Sequence, residues 1–548
     1  MMKKLLLFAL LPLLLMKPLL AQQDSYFEVS KNLEIFTNLY KQIDLNYVDG
    51  IHPSQMMKTG IDAMLITLDP YTVYITEGDV EDYRFMTTGE YGGIGAVFHL
   101  RDGIPELSEL HPGFPADQAG LVPGDRILQI NGNPTRGRSL DEISSILHGQ
   151  PGTSVSLEVQ KVSGKAPLTL NVTRQKIKTE NIPYYGMLGE GIAYIKMNAF
   201  TQNAASELQS AYQKMKNQQE IKGLIIDLRG NGGGLMLEAV KICNLFLEKD
   251  QVIVSTKGKM PSTNASYKTQ AQPLEKELPL AVLIDHKSAS ASEIVSGALQ
   301  DLDRAVIIGT RSFGKGLVQN VFPLSYNAQV KITTAKYYIP SGRCIQAIDY
   351  SHKDEFGRAG ALPDSLSNLF KTRKGRPVRD GGGIEPDIYT QENGPALITR
   401  ALMRNFKIFD FATQYRLSNP SPPDTTGFRI DDALYQDFKA YLSKEDFSYD
   451  SRTEDGIRAL EKAAEAEGYA DALSDYILQV RKELLDRKAA DLDMHREEIA
   501  RALRLEIISR YYYETGKVVS ALSDDPDILK AREVLLDPDR LAAVFSVK

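Results

Sequence analysis

Apolar residues recur at helical spacing through FEVSKNLEIFTNLYKQI and SQMMKTGIDAMLITL, which predicts helices across residues 25–85. The Asp-Pro pair in LDPYTVYI (Leu68 to Ile75) then breaks that pattern. Beyond it, EYGGIGAVFHL is glycine-rich and then strand-like. PADQAGLVPGDRILQINGNP reads as a short helix, a Pro-Gly turn, a strand and an Asn-Gly hairpin turn. SLDEISSILHG sets a serine N-cap before Ile143, Ile146 and Leu147 on one helical face. SVSLEVQ and LTLNVTR alternate as two further strands, so residues 86–177 are expected to form one compact domain. From 180 to 390, GIAYIKM, KGLIIDL, LAVLID and RAVIIG are short apolar runs bounded by turns, as strands buried on both faces would be. Amphipathic helices such as NAASELQSAYQKMK lie between them. AQVKITTAKYY alternates and predicts a strand facing two environments. Residues 391–548 return to charged helical patterns, as in GIRALEKAAEAEG, and read as a C-terminal helical extension without chemistry of its own. The expected fold class is multidomain α/β: an N-terminal helical segment, a small strand-rich domain, a mixed α/β core with a central sheet, and the helical extension.

The 548 residues are too many for one hydrophobic core, in keeping with that division. A net charge of -7 gives no reason to expect a polyanionic partner, so nucleic acid is set aside. Residues 1–21 have a basic start at Lys3 and Lys4, an apolar run, and the small residue Ala21 before Gln22. This is the pattern of a secretory signal peptide, which predicts a periplasmic or secreted protein. An uncleaved membrane anchor is the alternative, because Leu19 is bulky for its place before the cut. The two cysteines, Cys243 and Cys344, are too few to be a stabilising framework and are expected as buried free thiols. With seven histidines and two cysteines, none at ligand spacing, neither a metal nor another cofactor is expected.

Candidate chemistry begins at Ser288-Ala-Ser-Ala-Ser-Glu-Ile, between the strand LAVLID and the helix IVSGALQDLD. A nucleophile there would have free helix N-terminal N–H groups nearby to hold an oxyanion. Small-residue packing of helix on sheet is the plainer alternative. A serine nucleophile also needs a base. His286 has no evident carboxylate to orient it. Lys315, in RSFGKGLVQ, follows the next strand, and two adjacent strands of one sheet would bring both loops to the same edge. A lysine acts as a base only when desolvation lowers its pKa well below about 10.4.

Two resemblances bear on this. Gly93-Ile94-Gly95, Gly120-Leu-Val-Pro-Gly-Asp125 and Asn131-Gly132 make residues 86–177 resemble a circularly permuted bacterial PDZ domain. Such domains bind a peptide C-terminus as an added strand, its carboxylate on the backbone N–H groups of the glycine loop. The resemblance implies peptide binding at Gly93, Ile94, Gly95, Ile143 and Leu147. HKSASASEIVSGALQDLDRAVIIGTRSFGKGLVQ is similar nearly end to end to the signature of the C-terminal processing (tail-specific) serine peptidases, which use a Ser-Lys dyad. GLIIDLRGNGGGLMLEAV, YYIPSGRCIQ, GIEPDI and LDPYTVYI extend the likeness over roughly residues 30–390. It implies a serine endopeptidase with Ser290 as nucleophile, Lys315 as base and Gln319 orienting that base. It further implies oxyanion donors at Ala291 and at Gly232 or Gly233, and supporting roles for Glu293 and Asp301. Ser288 and Ser292 become framework residues. Ser312 and Cys344 depart from the family's usual threonine and serine, and residues 347–381 look like an insertion.

The implied partners are proteins or peptides with accessible C-termini, with a second copy or an adaptor possible on the C-terminal helices. Two other readings predict different behaviour: a catalytically silent PDZ-based binding protein or chaperone, and a Ser-His hydrolase using His286 or His352.

Overall fold

In the computed structural model the described residues are 26–80, 88–164, 166–354, 357–390, 394–445 and 447–546. The signal-peptide pattern of residues 1–21 lies outside them. No helix among the described residues is long and apolar enough to cross a membrane. The chain divides into two compact units between Tyr74 and Ile75. In the first, residues 26–46 are helical and a second helix, Pro53–Leu65, opens on its proline. The helical run expected across 25–85 is interrupted after Leu65, because the Asp69 carboxylate accepts the N–H groups of Tyr71 and Thr72 at 2.8 Å and folds the backbone into a turn; residues 81–85 of that range lie outside the described residues. A short strand, Val73–Ile75, follows.

The second unit starts with the small strand-rich domain. Its six-stranded sheet runs in the order Ala96–Arg101, Ile104–Leu110, Arg126–Ile130, Ser154–Gln160, Leu168–Thr173, with Asn133–Pro134 paired to the third. Asn131 and Gly132 both take positive φ, 51° and 77°, as the tight hairpin between Arg126–Ile130 and Asn133–Pro134 requires. Ser139 caps the helix Leu140–Leu147. Its hydroxyl accepts the Glu142 N–H, and the Glu142 carboxylate accepts the Ser139 N–H at 2.8 Å. Among the described residues the strand Ala96–Arg101 ends the sheet and one of its edges is unpaired.

The core sheet has the order Tyr184–Met187, Ile192–Lys196, Gly223–Asp227, Leu280–Ile284, Val306–Gly309, Ile388–Tyr389. All its neighbours are parallel except the first pair. Side chains alternate across it. Ile195, Leu224, Ile226, Val282 and Ile307 face the helices Ala204–Lys216, Met236–Asn244 and Ala291–Asp301. Tyr194, Ile225, Ala281, Leu283 and Ile308 face the other way and are covered by Val518 and by Ile528, Ala531, Val534 and Leu535. The last four lie on the helix Pro526–Leu536, so part of the tail expected as a separate extension completes the core's second face. The charged helical patterns of residues 391–548 do not show which surface such a helix meets.

Gln329–Tyr338, the alternating strand, joins a separate antiparallel sheet between Leu317–Pro323 and Val252–Gly258. The insertion forms two hairpins, Ile348–Lys353 with Ala359–Ala361 and Leu369–Lys371 with Pro377–Arg379. The helices Leu397–Arg404, Lys407–Ser418 and Asp432–Lys444 close with the first half of Arg496–Ala521 on their own cluster around Leu402, Phe438 and Leu503. They also hold the strand-rich domain, through Arg101 to Asp410 at 2.8 Å, the His99 ring stacked on Phe406, and Tyr513 donating to Asp117 at 2.9 Å.

Candidate active site

Leu280–Ile284 and Val306–Gly309 are adjacent and parallel, with Ala281 opposite Val306 and Ile284 opposite Gly309. Parallel neighbours end at the same edge, so the loop bearing Ser290 and the loop bearing Lys315 emerge side by side, as the sequence predicts. Ser290 is half-buried and forms the N-cap of the helix Ala291–Asp301, with φ 56° and ψ −111°. A non-glycine residue takes such angles only where its surroundings hold it there.

Glu293 does much of the holding. Fully buried, it accepts four hydrogen bonds. Oε2 takes the N–H of Ser290 at 2.7 Å and of Lys315 at 2.9 Å; Oε1 takes the Ser312 hydroxyl at 2.6 Å and the Gly314 N–H at 2.7 Å. Its burial pushes the carboxyl above its ordinary pKa, against the pull of these donors. On the carbonyl side, the Tyr337 hydroxyl lies 2.7 Å from Lys315 O and 3.2 Å from Ser290 O. One side chain therefore gathers the N–H groups of the two loops and another their carbonyls. Lys315 is half-buried. Tyr337 escaped the sequence reading: alternation along AQVKITTAKYY marks a facing side but not what it faces.

The glycine segment after Gly223–Asp227 is stitched to the same loop. Ser288 Oγ donates to Leu228 O and Ser292 Oγ to Asn231 O, both at 2.9 Å, and Ala289 N–H donates to Asn231 O at 3.1 Å. The flanking serines thus occupy the framework positions expected of them. Gly233 has φ 101°, and a Cβ there would lie 2.9 Å from Ser290 Cβ and 2.6 Å from Ala289 O. Only glycine lets the segment approach this closely. Its N–H donates to Asn231 Oδ1 at 2.9 Å, so of the two glycines named as oxyanion donors this one is already engaged. Among the described residues the N–H groups of Ala291 and Gly232 have no acceptor.

Other named residues fall elsewhere. Gln319 lies on Leu317–Pro323, the strand that follows Lys315, and donates to Thr333 Oγ1 at 3.2 Å. Asp301 is at the far end of the 11-residue helix from Ser290, about 16 Å along its axis at 1.5 Å per residue. Buried there, it pairs with Arg343 at 2.9 Å and accepts the Ser341 N–H, holding YYIPSGR rather than touching the site. His286 is exposed. His352 is exposed in the insertion and paired with Asp349. Cys243 is buried as expected, whereas Cys344 is only half-buried.

In the strand-rich domain, Gly93 and Ile94 are buried, and Gly95 has φ 74° with Phe114 Cβ only 2.5 Å from where a Cβ would stand. Among the described residues the Ile94 and Gly95 N–H groups have no acceptor. Ile143 and Leu147, expected to contact a peptide, are 1% and 3% exposed and belong to the domain's core. A helix of only eight residues uses its most apolar face for that core, leaving half-buried Ser144, Ile146 and His148 nearer the surface.

Residues 191–352 match the model of peptidase family S41, residues 106–161 that of the PDZ domain, and residues 398–535 that of the C-terminal helical domain of probable PDZ-proteases. The chain is 35% identical to a carboxy-terminal-processing protease of Bartonella bacilliformis, over 60% of this chain and 74% of the relative. It is 36% identical to a carboxyl-terminal-processing protease of Synechocystis, over 56% and 70% of the two chains. It is also 31% identical to a carboxy-terminal processing protease of Bacillus subtilis, over 60% and 68%.

Proposed function

The chain belongs to the carboxy-terminal-processing proteases of peptidase family S41 and is a serine-type peptidase acting on protein or peptide substrates; from that premise we propose that Ser290 and Lys315 form its catalytic dyad. Ser290 Oγ attacks a backbone carbonyl carbon while Lys315 Nζ takes the hydroxyl proton. The oxyanion forms against the Ala291 and Gly232 N–H groups, worth about 10²–10³ in rate per donor. Collapse of the intermediate expels the new amine, which recovers the proton from Lys315, and leaves an acyl-enzyme. Water, deprotonated by the same lysine, releases the acyl product. Gln319, on the strand that follows Lys315, orients that base, as the likeness to the family implies.

The PDZ domain selects the substrate by its end. A C-terminal carboxylate would sit on the Ile94 and Gly95 N–H groups, and its backbone would add to the free edge of Ala96–Arg101 beside the helix Leu140–Leu147. Export to the periplasm or beyond follows from the leader pattern of residues 1–21.

The observation behind the dyad is the Glu293 oxygen that receives both the Ser290 and the Lys315 N–H, with two unengaged N–H groups beside it. The test incubates the protein, Ser290→Ala and Lys315→Ala with an unstructured polypeptide ending in a free apolar C-terminus. Cleavage by the wild type alone is expected. Wild-type cleavage by Lys315→Ala would sink the dyad.

A further inference from the structure

Six charged groups meet where the glycine segment begins. Arg229 donates to Asp227 through Nε and Nη2, at 3.1 and 2.7 Å, and through Nη1 to Asp525 at 2.8 Å and Asp527 at 2.6 Å. Lys196 Nζ lies 3.3 Å from Asp227 and donates also to Arg229 O; Arg501 donates to Asp525 at 2.9 Å. Three cations thus face three carboxylates, and Asp227, Asp525 and Asp527 are all buried. Burial works against the charges on Asp227 and Arg229, but their mutual attraction, with Lys196 and Asp525, holds the carboxyl well below the usual range and the guanidinium well above it. Two of the carboxylates come from the C-terminal helical domain, nearly 300 residues further along the chain, at the start of the helix Pro526–Leu536.

We propose that Asp525 and Asp527 are positioning residues for the oxyanion hole, acting through Arg229; this rests on the assignment of Ser290, Ala291 and Gly232 above. Arg229 is three residues from Gly232. The next N–H, of Gly230, donates to Asp285 Oδ1 at 2.9 Å, and that oxygen also accepts the N–H groups of Lys287 and Ser288 in the nucleophile loop. Leu228 O and Asn231 O, on either side, are the acceptors for Ser288 and Ser292. Without the two C-terminal carboxylates, Arg229 and Lys196 would share Asp227 alone. An uncompensated buried cation turns toward water. Arg229 doing so would pull on the turn that carries Gly232. The helix itself would stay in place, because Ile528, Ala531, Val534 and Leu535 pack on the sheet independently of the charges. The C-terminal domain therefore does more than cover the sheet: it aligns one of the two proposed donors.

The test uses the full chain with Asp525→Asn, Asp527→Asn and the double variant. Asparagine is isosteric and caps helices as well as aspartate, so the cap at residue 525 survives. Three quantities are read beside the melting temperature: kcat and KM on a tailed polypeptide; affinity for a peptide boronic acid, whose adduct on Ser290 places a tetrahedral oxygen in the hole; and affinity for a non-cleavable tail peptide. The double variant is expected to lose about 10- to 100-fold in kcat, short of or equal to removal of a whole donor. Boronate affinity should fall by the same factor while KM and tail-peptide affinity hold. Asp527→Glu, which keeps the charge, should recover most of the loss. Should the double variant not fold, the single variants decide, each with about a tenfold loss. Any folded asparagine variant with wild-type kcat and boronate affinity overturns the proposal, as does a loss confined to KM or tail binding. Ser290→Ala is the separate control: cleavage by that variant would sink the dyad itself, whatever the aspartates do.

Discussion

Four donors converge on the Glu293 carboxylate, and only an acceptor with two equivalent oxygens takes all of them. In Glu293→Gln the amide NH2 would face two of those donors. An unsatisfied buried group costs about 1–3 kcal/mol. We expect urea unfolding to show a loss of about 2–3 kcal/mol, and kcat/KM to fall about 100-fold as the Ser290 and Lys315 loops part. Tyr337→Phe removes one hydroxyl and keeps the ring, so about 1 kcal/mol of stability should go. Here kcat should fall about tenfold with KM unchanged, because the hydroxyl touches backbone and not substrate. Cys243 belongs to this scale too: burial pushes its thiol far above the ordinary pKa, and a thiol reacts as its anion. A disulfide reagent should modify it only after unfolding.

Among the elements, the legible features were those with a local cause. Ser139, Asn131-Gly132 and Asp69 act within three or four residues of themselves, and each makes the cap or turn that its sequence implies. Short apolar runs became strands buried on both faces, and their alternate residues divide between the two layers of cover. The PDZ helix was legible as a helix but not in its aim. Ser139→Ala should cost about 1 kcal/mol of domain stability. Titration with a tail peptide should show weaker binding, while cleavage of a short peptide that makes no use of the PDZ groove stays unchanged.

For the whole molecule, the sheet's second face depends on residues near the end of the chain. Full burial of a Val, Leu or Ile side chain contributes about 1.5–3 kcal/mol. Losing Ile528, Val534 and Leu535 is thus comparable with the about 5–15 kcal/mol by which whole domains are stable. A chain ending at residue 390 should be insoluble or fully open to limited proteolysis. The cluster around Arg229 has a pH signature with a definite sign. Because the folded Asp227 carboxyl is depressed, its contribution is present above the unfolded value of about 4 and is lost as pH falls through the lower folded value. Asp227→Asn should cost about 3–5 kcal/mol at pH 7 by leaving buried cations short of an anion. Denaturant unfolding at stepped pH should find that gap closing only below about pH 4.

By itself, the sequence determined the order of elements, the strand-rich domain with its glycine loop, and the side-by-side loops of Ser290 and Lys315. These follow from period, turn chemistry and the rule that adjacent parallel strands end at one edge. Tertiary structure alone decided that Glu293 and Tyr337 join those loops, that Gly233 uses its N–H on Asn231, and that Ile143 and Leu147 turn into the core. It also decided that Asp525 and Asp527 reach Arg229. A hydrogen-bonding or charged side chain leaves no periodic trace of its partner, and contacts across nearly 300 residues exist only once the chain has closed on itself.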